Sequence, residues 1–537
     1  MSHWQDYGVP PLRHEALYGD RVNRCFSERP ASLLAMFERA RARRPEADAI
    51  VCEDRRWSYA QAGSEADRLA AVFASRGIAA GDRVLMLLGN RPEFLTVLLA
   101  VQRLGAIAVP VGVREQRPGL AYIANQCGAV AIVFDDELAG RVPDAGEASA
   151  LVLRIAALCL AGLAAPALAI PDAAPTRETD VAVILYTSGT TGRPKGAMLT
   201  HLSIAHSVLH FQHGMRLGPR DRSALAVPAS HVTGLVAIIA TMWQVGGAVV
   251  VVPEFKADAF VRLMANERVS HTLMVPAMYQ LCLLSDALPG ADLSAWRVGG
   301  YGGAPMPVST IDALAARLPG LTLQNAYGAT ESTSPVTMMP AGLTRSHADS
   351  VGVALPTADI RVMDDEGREA APGIDGELWI AGPMVVPGYW ADPEATAREF
   401  TGGFWHSGDI GSVDEHGFVR IVDRKKDMLN RGGYKVYSVE VENALMAWPG
   451  VVEAAIVGKP CAVLGERVHA FVYAPSVPGR GADEASIKAH CAGLLADYKV
   501  PESITWSAAP LPRNANGKIL KRTLRGFPGT SDRGSNR

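Results

Sequence analysis

The sequence predicts an α/β protein: a large N-terminal multi-layer body built on parallel-rich sheets, followed by a small C-terminal α+β lid domain joined to it by a hinge. Three observations carry this reading. Over the first four hundred residues, short and wholly apolar runs of strand length alternate with helical patterns. Strands buried on both faces read that way when a parallel sheet is covered by helices on both sides. Near Gly417 the texture changes, as Arg420, Arg424, Lys425, Lys426 and Arg431 crowd into a short span ahead of Gly432-Gly433. Beyond that span about 100 residues remain, which is small but domain-sized. The expected division is residues 1–423 as the large body, 424–427 as the hinge and 428–537 as the small domain.

The elements follow in order. Leu33, Leu34 and Phe37 recur at helical spacing, and the run AIVCED after them reads as a strand. A helix is predicted from Ser58 to about Arg76, a strand over Arg83–Leu88, and a helix from about Pro92 to Leu104. The runs IAVPV, VAIVF, VAVILY, ALAVPA and AVVVVP supply further buried strands. In the terminal part, Ser438 is placed to cap a helix whose first turn carries Glu440 and Glu442, carboxylates favoured at the positive helix end. Another helix follows Asp483, with Ile487, Cys491 and Leu494 expected on one face. The stretch Ile155–Ile170 is apolar but rich in Ala and broken by Gly162 and Pro166, and spanning a bilayer takes about 20 strongly apolar residues. It is read as part of the α/β body.

Composition narrows function. The chain has 537 residues, 48% of them hydrophobic and 20% charged, so it can bury a large core without disulfides or structural metal. Its formal net charge of −3 gives no global basic field for nucleic acid. Seven dispersed cysteines lack metal-ligand spacing and read as reduced thiols of a cytoplasmic protein. The N-terminal stretch has no apolar run of a secretory signal. Small-molecule chemistry is the expectation.

The strongest chemical signal is Tyr186-Thr187-Ser188-Gly189-Thr190-Thr191-Gly192-Arg193-Pro194-Lys195-Gly196. It directly follows the strand VAVIL, at a carboxyl end where open α/β sheets bind ligands. Its glycines let backbone N–H groups turn toward an anion, its hydroxyls donate, and Lys195 adds a point charge, all suited to a triphosphate. It is not a Walker A loop, because Pro194 precedes the lysine and Gly196 follows it.

This segment resembles the phosphate loop of the adenylate-forming acyl-CoA synthetases, the superfamily that includes firefly luciferase and nonribosomal adenylation domains. Further matches run in the family's order along nearly the whole chain: Tyr301-Gly302-Gly303-Ala304, Tyr327-Gly328-Ala329-Thr330-Glu331, His406-Ser407-Gly408-Asp409, the segment from Asp423-Arg424, and Asn516-Gly517-Lys518. The set in this order is specific where each short motif is weak. The resemblance implies an AMP-forming acid–thiol ligase that uses ATP, Mg²⁺ and coenzyme A.

Site residues follow from the same likeness. Thr187, Ser188, Gly189, Thr190, Thr191, Gly192 and Lys195 face the phosphates. Gly302, Gly303, Ala304, Asn325, Ala326, Tyr327 and Gly328 surround the adenine, on which Tyr327 stacks. Thr330 contacts phosphate, and Glu331, with Thr187 beside it, holds Mg²⁺. A carboxylate is the hard oxygen ligand that Mg²⁺ on nucleotide phosphates requires. Asp409 and Arg424 take the ribose, Lys426 is the hinge residue, and Lys518 is the catalytic lysine. Gly433, after Gly432, and Lys435 serve coenzyme A. His231 lies beside the acyl pocket, as a core or gating residue rather than a general base, with Val232, Val236, Tyr301, Gly303, Gly328 and Met338 lining it. Tyr301 is bulky enough to floor that pocket. No Lys or Arg occurs from His231 to Trp243, Gly299 to Ala304 or Asn325 to Met339, and Arg297 stands just outside. The expected substrate is therefore a mostly apolar acid, a medium- or long-chain fatty acid first and an aryl or arylpropenoic acid second. A carrier protein in trans is the alternative acceptor, and a homodimer is one possible assembly. Peripheral membrane contact and nucleic-acid partners are not expected.

Overall fold

The computed structural model describes residues 3–162, 169–187, 193–432, 434–461, 463–475, 483–513 and 519–525. Two compact units share the chain. The larger comprises Met1–Arg361, Trp379–His406 and Asp414–Val419; the smaller comprises Val362–Leu378, Ser407–Val413 and Arg420–Arg537.

Two sheets form the frame of the larger unit. In the six-stranded one the order is Lys195–Thr200, Val181–Thr187, Ile107–Pro110, Arg83–Leu87, Ala131–Phe134 and Leu153–Ala156. All neighbours are parallel except Lys195–Thr200, which returns antiparallel to Val181–Thr187. The nine-stranded sheet runs Val353–Ala354, Thr337–Met338, Thr322–Tyr327, Val298–Tyr301, His271–Met274, Arg222–Leu225, Ala248–Val251, Asp48–Cys52 and Arg55–Ser58. Its inner strands are parallel and its outer ones antiparallel. Of the inner strands Ala248–Val251 is wholly apolar, whereas others also bury polar side chains, among them Ser223, His271, Thr272 and Gln324.

The covering helices start where their caps dictate. Helix Tyr59–Ser75 begins after Ser58, whose Oγ accepts from Gln61 N–H at 3.2 Å while Gln61 Oε1 accepts from Ser58 N–H at 2.9 Å. Such a cap contributes about 1 kcal/mol. Helix Leu33–Arg43 is capped by Ser32 and buries Leu33, Met36, Phe37 and Ala40, with Leu34 at the margin. The apolar run from Ala224 to Ala229 is strand only as far as Leu225. Beyond it Asn90 takes over: its Nδ2 donates to the carbonyls of Leu225, Val227 and Val252, and its Oδ1 accepts from Ala229 N–H at 2.8 Å. Of the stretch Ile155–Ile170, Ile155 is the buried residue of the short strand Leu153–Ala156, and residues 163–168 lie outside the described residues. Among the described residues no helix is long and apolar enough to cross a membrane.

The smaller unit has its own five-stranded sheet, in the order Tyr434–Val436, Leu429–Arg431, Gly465–Tyr473 and Glu453–Cys461, with Ser503–Ser507 parallel to Gly465–Tyr473. Two details differ from the sequence expectation. Ser438 is the first residue of helix Ser438–Met446, not its cap; the backbone N–H is instead taken by the carboxylate of Asp423, 15 residues upstream. In the next helix Ile487 and Cys491 enter the core, whereas Leu494 is 60% exposed, because the helix ends there and the chain turns away. All seven cysteines are free thiols.

Helix His201–Gly214 holds three buried histidines in the neutral form. His206 Nε2 accepts from Phe26 N–H at 3.1 Å and its Nδ1–H donates to Leu202 O at 3.0 Å. His201 Nδ1 accepts from Leu33 N–H, and His210 Nε2 meets Thr357 Oγ1 at 2.9 Å. Burial pushes His201, His206 and His271 down to about 4, and His210 also falls well below the usual range. The unfolded chain takes up these protons near 6.5, while the fold refuses them until about 4. Stability is thus intact above pH 6.5 and lost as pH falls from there. Going from pH 7 to 5 is expected to cost about 1–2 kcal/mol for each of these histidines, read as a lower urea midpoint. A midpoint flat over that interval would refute the assignment.

Candidate active site

Antiparallel pairing puts Lys195 directly opposite Thr187, at the two ends of the anion-binding segment. Ser188, Gly189, Thr190, Thr191 and Gly192 lie outside the described residues. The Lys195 side chain is 8% exposed, and an ammonium buried to that extent must be paired. Its Nζ lies 2.5 Å from both carboxylate oxygens of Glu399 and 3.3 Å from Tyr389 Oη, with the Tyr389 ring centroid 4.3 Å away. Lys195, expected to face the triphosphate, thus has its charge on a carboxylate 204 residues downstream. Burial alone would raise Glu399, but the Lys195 ammonium and the Tyr389 hydroxyl outweigh it and hold the carboxyl below its usual range.

The tyrosine links this pair to a second carboxylate. Tyr389 Oη can donate to Glu399 Oε2 at 2.7 Å or to Glu331 Oε1 at 3.1 Å. Burial and the two flanking carboxylates push its phenol far above the ordinary range, so it stays a donor. Glu331 Oε1 also accepts from Thr187 Oγ1 at 3.1 Å. Backbone pairing fixes this arrangement: Ala197 bridges Tyr389, Trp390 N–H donates to Gly196 O, and Val386 N–H donates to Glu331 O. Thr187, Lys195, Glu331, Tyr389 and Glu399 are therefore one connected set of side chains at the carboxyl end of strand Val181–Thr187. Tyr389 and Glu399 escaped the sequence reading. No local pattern marks either, since their partners are remote in sequence.

The nucleotide motifs sit at the ends of two neighbouring strands. Parallel pairing sets Tyr301 beside Asn325, which brings Gly302, Gly303 and Ala304 next to Ala326, Tyr327 and Gly328. A Cβ on Gly302 would lie 2.4 Å from Ala326 O, so only glycine allows this approach, and Gly303 has φ +79°. Tyr327 is half-buried at its strand end, and Thr330 and Glu331 open a single 3₁₀ turn.

The expected acid-pocket residues divide between two clusters. Val232, Val236 and Met338 belong to the largest apolar cluster of the unit. Tyr301 belongs to another, with Met274, Tyr279, Met306 and Ile311. There it is 1% exposed, bonded to Asn325, and raised by burial to about 12. His231 is half-buried, with Nδ1 3.3 Å from Thr233 Oγ1, and it precedes a π-helix over Thr233–Ala240. Thr241 donates to the Val236 carbonyl five residues back at 2.9 Å. Eight residues of π-helix are rare, and such segments are frequent at functional sites. Arg297 is committed elsewhere, to Asp221 at 2.6 Å and to the Arg216 carbonyl.

Within the smaller unit Asp409 is 4% exposed and pairs with Arg424 Nε at 2.5 Å. The neighbouring backbone is held by Glu377, which accepts from Gly408 N–H at 3.2 Å and pairs with Lys425 at 3.1 Å. Lys435 is half exposed and 3.3 Å from Asp365. Gly433 and Lys518 lie outside the described residues.

Comparison with known proteins agrees with these motifs. The family model for AMP-binding enzymes matches residues 37–390, and that for the AMP-binding enzyme C-terminal domain matches residues 440–518. The feruloyl-CoA synthase of Amycolatopsis sp is 35% identical over 483 residues, covering 90% of this chain and 96% of that one. The long-chain-fatty-acid–CoA ligase FadD13 of Mycobacterium tuberculosis is 34% identical, covering 88% and 93%. The structure of o-succinylbenzoate coenzyme A synthetase from Bacillus subtilis with ATP and a magnesium ion superposes with a TM-score of 0.82 at 25% identity, covering 93% and 99%. The chain belongs to the AMP-binding enzyme family, as an acyl-CoA synthetase of the adenylate-forming superfamily. It is an AMP-forming acid–thiol ligase, served by ATP, Mg²⁺ and coenzyme A.

Glu331 and Thr187 pass a simple test as Mg²⁺ ligands. Adjacent oxygens of an octahedron with bonds of about 2.1 Å stand about 3 Å apart, and these two are 3.1 Å apart. Removing the hydroxyl that steadies Glu331 should loosen the metal: Tyr389→Phe is expected to raise the Mg²⁺ concentration for half-maximal pyrophosphate release roughly ten-fold. An unchanged Mg²⁺ dependence would separate Tyr389 from the metal.

Proposed function

We propose that this ligase activates an apolar monocarboxylic acid, a medium- or long-chain fatty acid in the first instance. A carboxylate oxygen attacks the α-phosphorus of ATP, forming the acyl-adenylate as the bond to pyrophosphate breaks. The thiol sulfur of coenzyme A then attacks the acyl carbon, AMP leaves, and the thiol proton is lost to solvent. Dividing the work this way replaces a poor acyl donor by a good one.

The observation that carries the site reading is the Thr187–Glu331 pair, backed by Tyr389, Glu399 and Lys195. In this reading Glu331 and Thr187 hold Mg²⁺, which supplies charge neutralisation to the phosphates. Thr330 and the segment from Ser188 to Gly192 bind the phosphate oxygens. Tyr327 stacks on adenine against the bare backbone of Gly302–Ala304, and Asp409 and Arg424 bind the ribose. Lys518 stabilises charge that develops during adenylation. A change of backbone dihedrals at Lys426 exchanges Lys518 for Gly433 between the two steps, with Lys435 serving coenzyme A.

Support for an apolar acid comes from the wall after His231. Gly234 to Ala240 are all buried, all neutral, and followed by buried Met242 and Trp243. A second carboxylate there would meet no cation, and Arg297 is already spent on Asp221. An arylpropenoic acid is the second reading, favoured by the likeness to a feruloyl-CoA synthase.

The test is acid-dependent pyrophosphate and AMP release across aliphatic acids, benzoates and cinnamates, with and without coenzyme A. AMP formation requiring both a medium- or long-chain acid and coenzyme A is the expected result. A cinnamate preference would select the second reading, and release indifferent to coenzyme A would point to a carrier protein as acceptor. Lys518→Ala is expected to abolish adenylation while sparing thioester formation from supplied acyl-adenylate. Equal loss of both steps would overturn its role.

A further inference from the structure

The segment that carries Lys518 is framed by residues whose contacts lead back to the hinge, all within the smaller unit. On its two sides Arg513 and Ile519 form an antiparallel bridge, and Leu520 N–H donates to Pro512 O at 2.7 Å. Glu453 anchors the near side, accepting from Leu511 N–H and Arg513 Nη2, each at 2.7 Å. The far side leads at once into the short helix Lys521–Arg525, whose Leu524 packs with Ala455, Val457 and Phe471.

Both ends of that helix reach the stretch from Asp423 to Asp427. Lys521 Nζ donates to Ser438 Oγ at 2.6 Å and pairs with the partly buried Glu442 at 2.7 Å. Ser438 in turn gives its hydroxyl and its backbone N–H to Asp423, whose Oδ1 also accepts from Arg424 N–H at 2.7 Å. Arg525 Nη2 donates to the carbonyl of Lys426 at 3.1 Å and to Asp427 Oδ1 at 3.2 Å. The peptide group on which Arg525 closes is the one that must reorient if the dihedrals of Lys426 change.

We propose that Arg525 and Lys521 are positioning residues that tether the helix following Lys518 to the hinge, so that the backbone state of Lys426 and the placement of helix Lys521–Arg525 change together. This rests on the roles proposed above for Lys426 and Lys518. Lys521, through Ser438, holds Asp423 on the N-terminal side of Lys426. Arg525 holds the carbonyl that moves.

The test uses the full chain and two readouts. In the first, pyrophosphate release without coenzyme A and thioester formation from supplied acyl-adenylate are measured separately. Arg525→Ala is expected to change their ratio by roughly five-fold, and Arg525→Lys, which still reaches a carbonyl and a carboxylate, to restore it. A merely structural role would lower both steps in parallel, and that result, or an unchanged ratio, overturns the tether. In the second, the rate of tryptic cleavage after Lys425 and Lys426 is followed, which needs no activity. Arg525→Ala is expected to speed it roughly ten-fold relative to cleavage elsewhere, and Asp427→Asn, which weakens the same contact from the other end, to speed it in the same direction. Faster cleavage in a chain that releases no pyrophosphate from any acid would sink the reaction reading and keep the tether. An unchanged cleavage rate would sink the tether whatever the activity.

Discussion

A buried ammonium is the constraint around which the carboxyl end of strand Val181–Thr187 is arranged. Lys195 cannot be taken from water without a counter-charge, and Glu399 supplies it at 2.5 Å. Once that pair exists, Tyr389 is fixed between two carboxylates, and through it Glu331 is steadied beside Thr187. The set joins strand Val181–Thr187 to the chain after Gly388, so folding and the alignment of the Thr187 and Glu331 oxygens depend on the same contacts. Burial first, and the two carboxylate neighbours with it, keep the phenol protonated, which makes it a permanent donor rather than a titrating group.

The smaller unit shows the same economy on different residues. Asp423 closes the N-terminus of helix Ser438–Met446 and flanks the hinge, two tasks for one carboxylate. Burial raises its pKa, while the N–H groups of Arg424 and Ser438 and the nearby Lys521 oppose that rise. Glu442 is raised by burial in the same way and is answered by Lys521. Asp409 and Arg424 are already paired with each other, so the Asp409 carboxylate is oriented without a ligand.

Legibility in the sequence followed the range of the interactions. The buried strands were readable because a parallel sheet demands continuous apolar runs, and helix Tyr59–Ser75 because Ser58 and Gln61 stand three residues apart. The anion-binding segment stood out because eleven residues of Gly, Ser and Thr character after a buried strand have few other uses. Glu399, Tyr389 and Asn90 were illegible, since each acts on groups distant in sequence and none carries a local pattern. Ser438 was misplaced for the same reason: its helix is capped from Asp423, while a local rule looks only at neighbours. The π-helix at Thr233–Ala240 was hidden because a wholly apolar run has no period from which a helix type can be read. The split of Tyr301 from Val232, Val236 and Met338 likewise reflects which sheet face a strand residue takes, a matter of register rather than composition.

The pairing of Thr187 with Lys195 has a consequence for descent. Successive residues of a strand point to opposite faces, so a one-residue slip of strand Lys195–Thr200 in its pairing with Val181–Thr187 would turn Lys195 away from Glu399 and strand its charge. For a descendant of this sequence the register of these two strands is the constrained quantity, held by a lysine whose counter-charge lies 204 residues away.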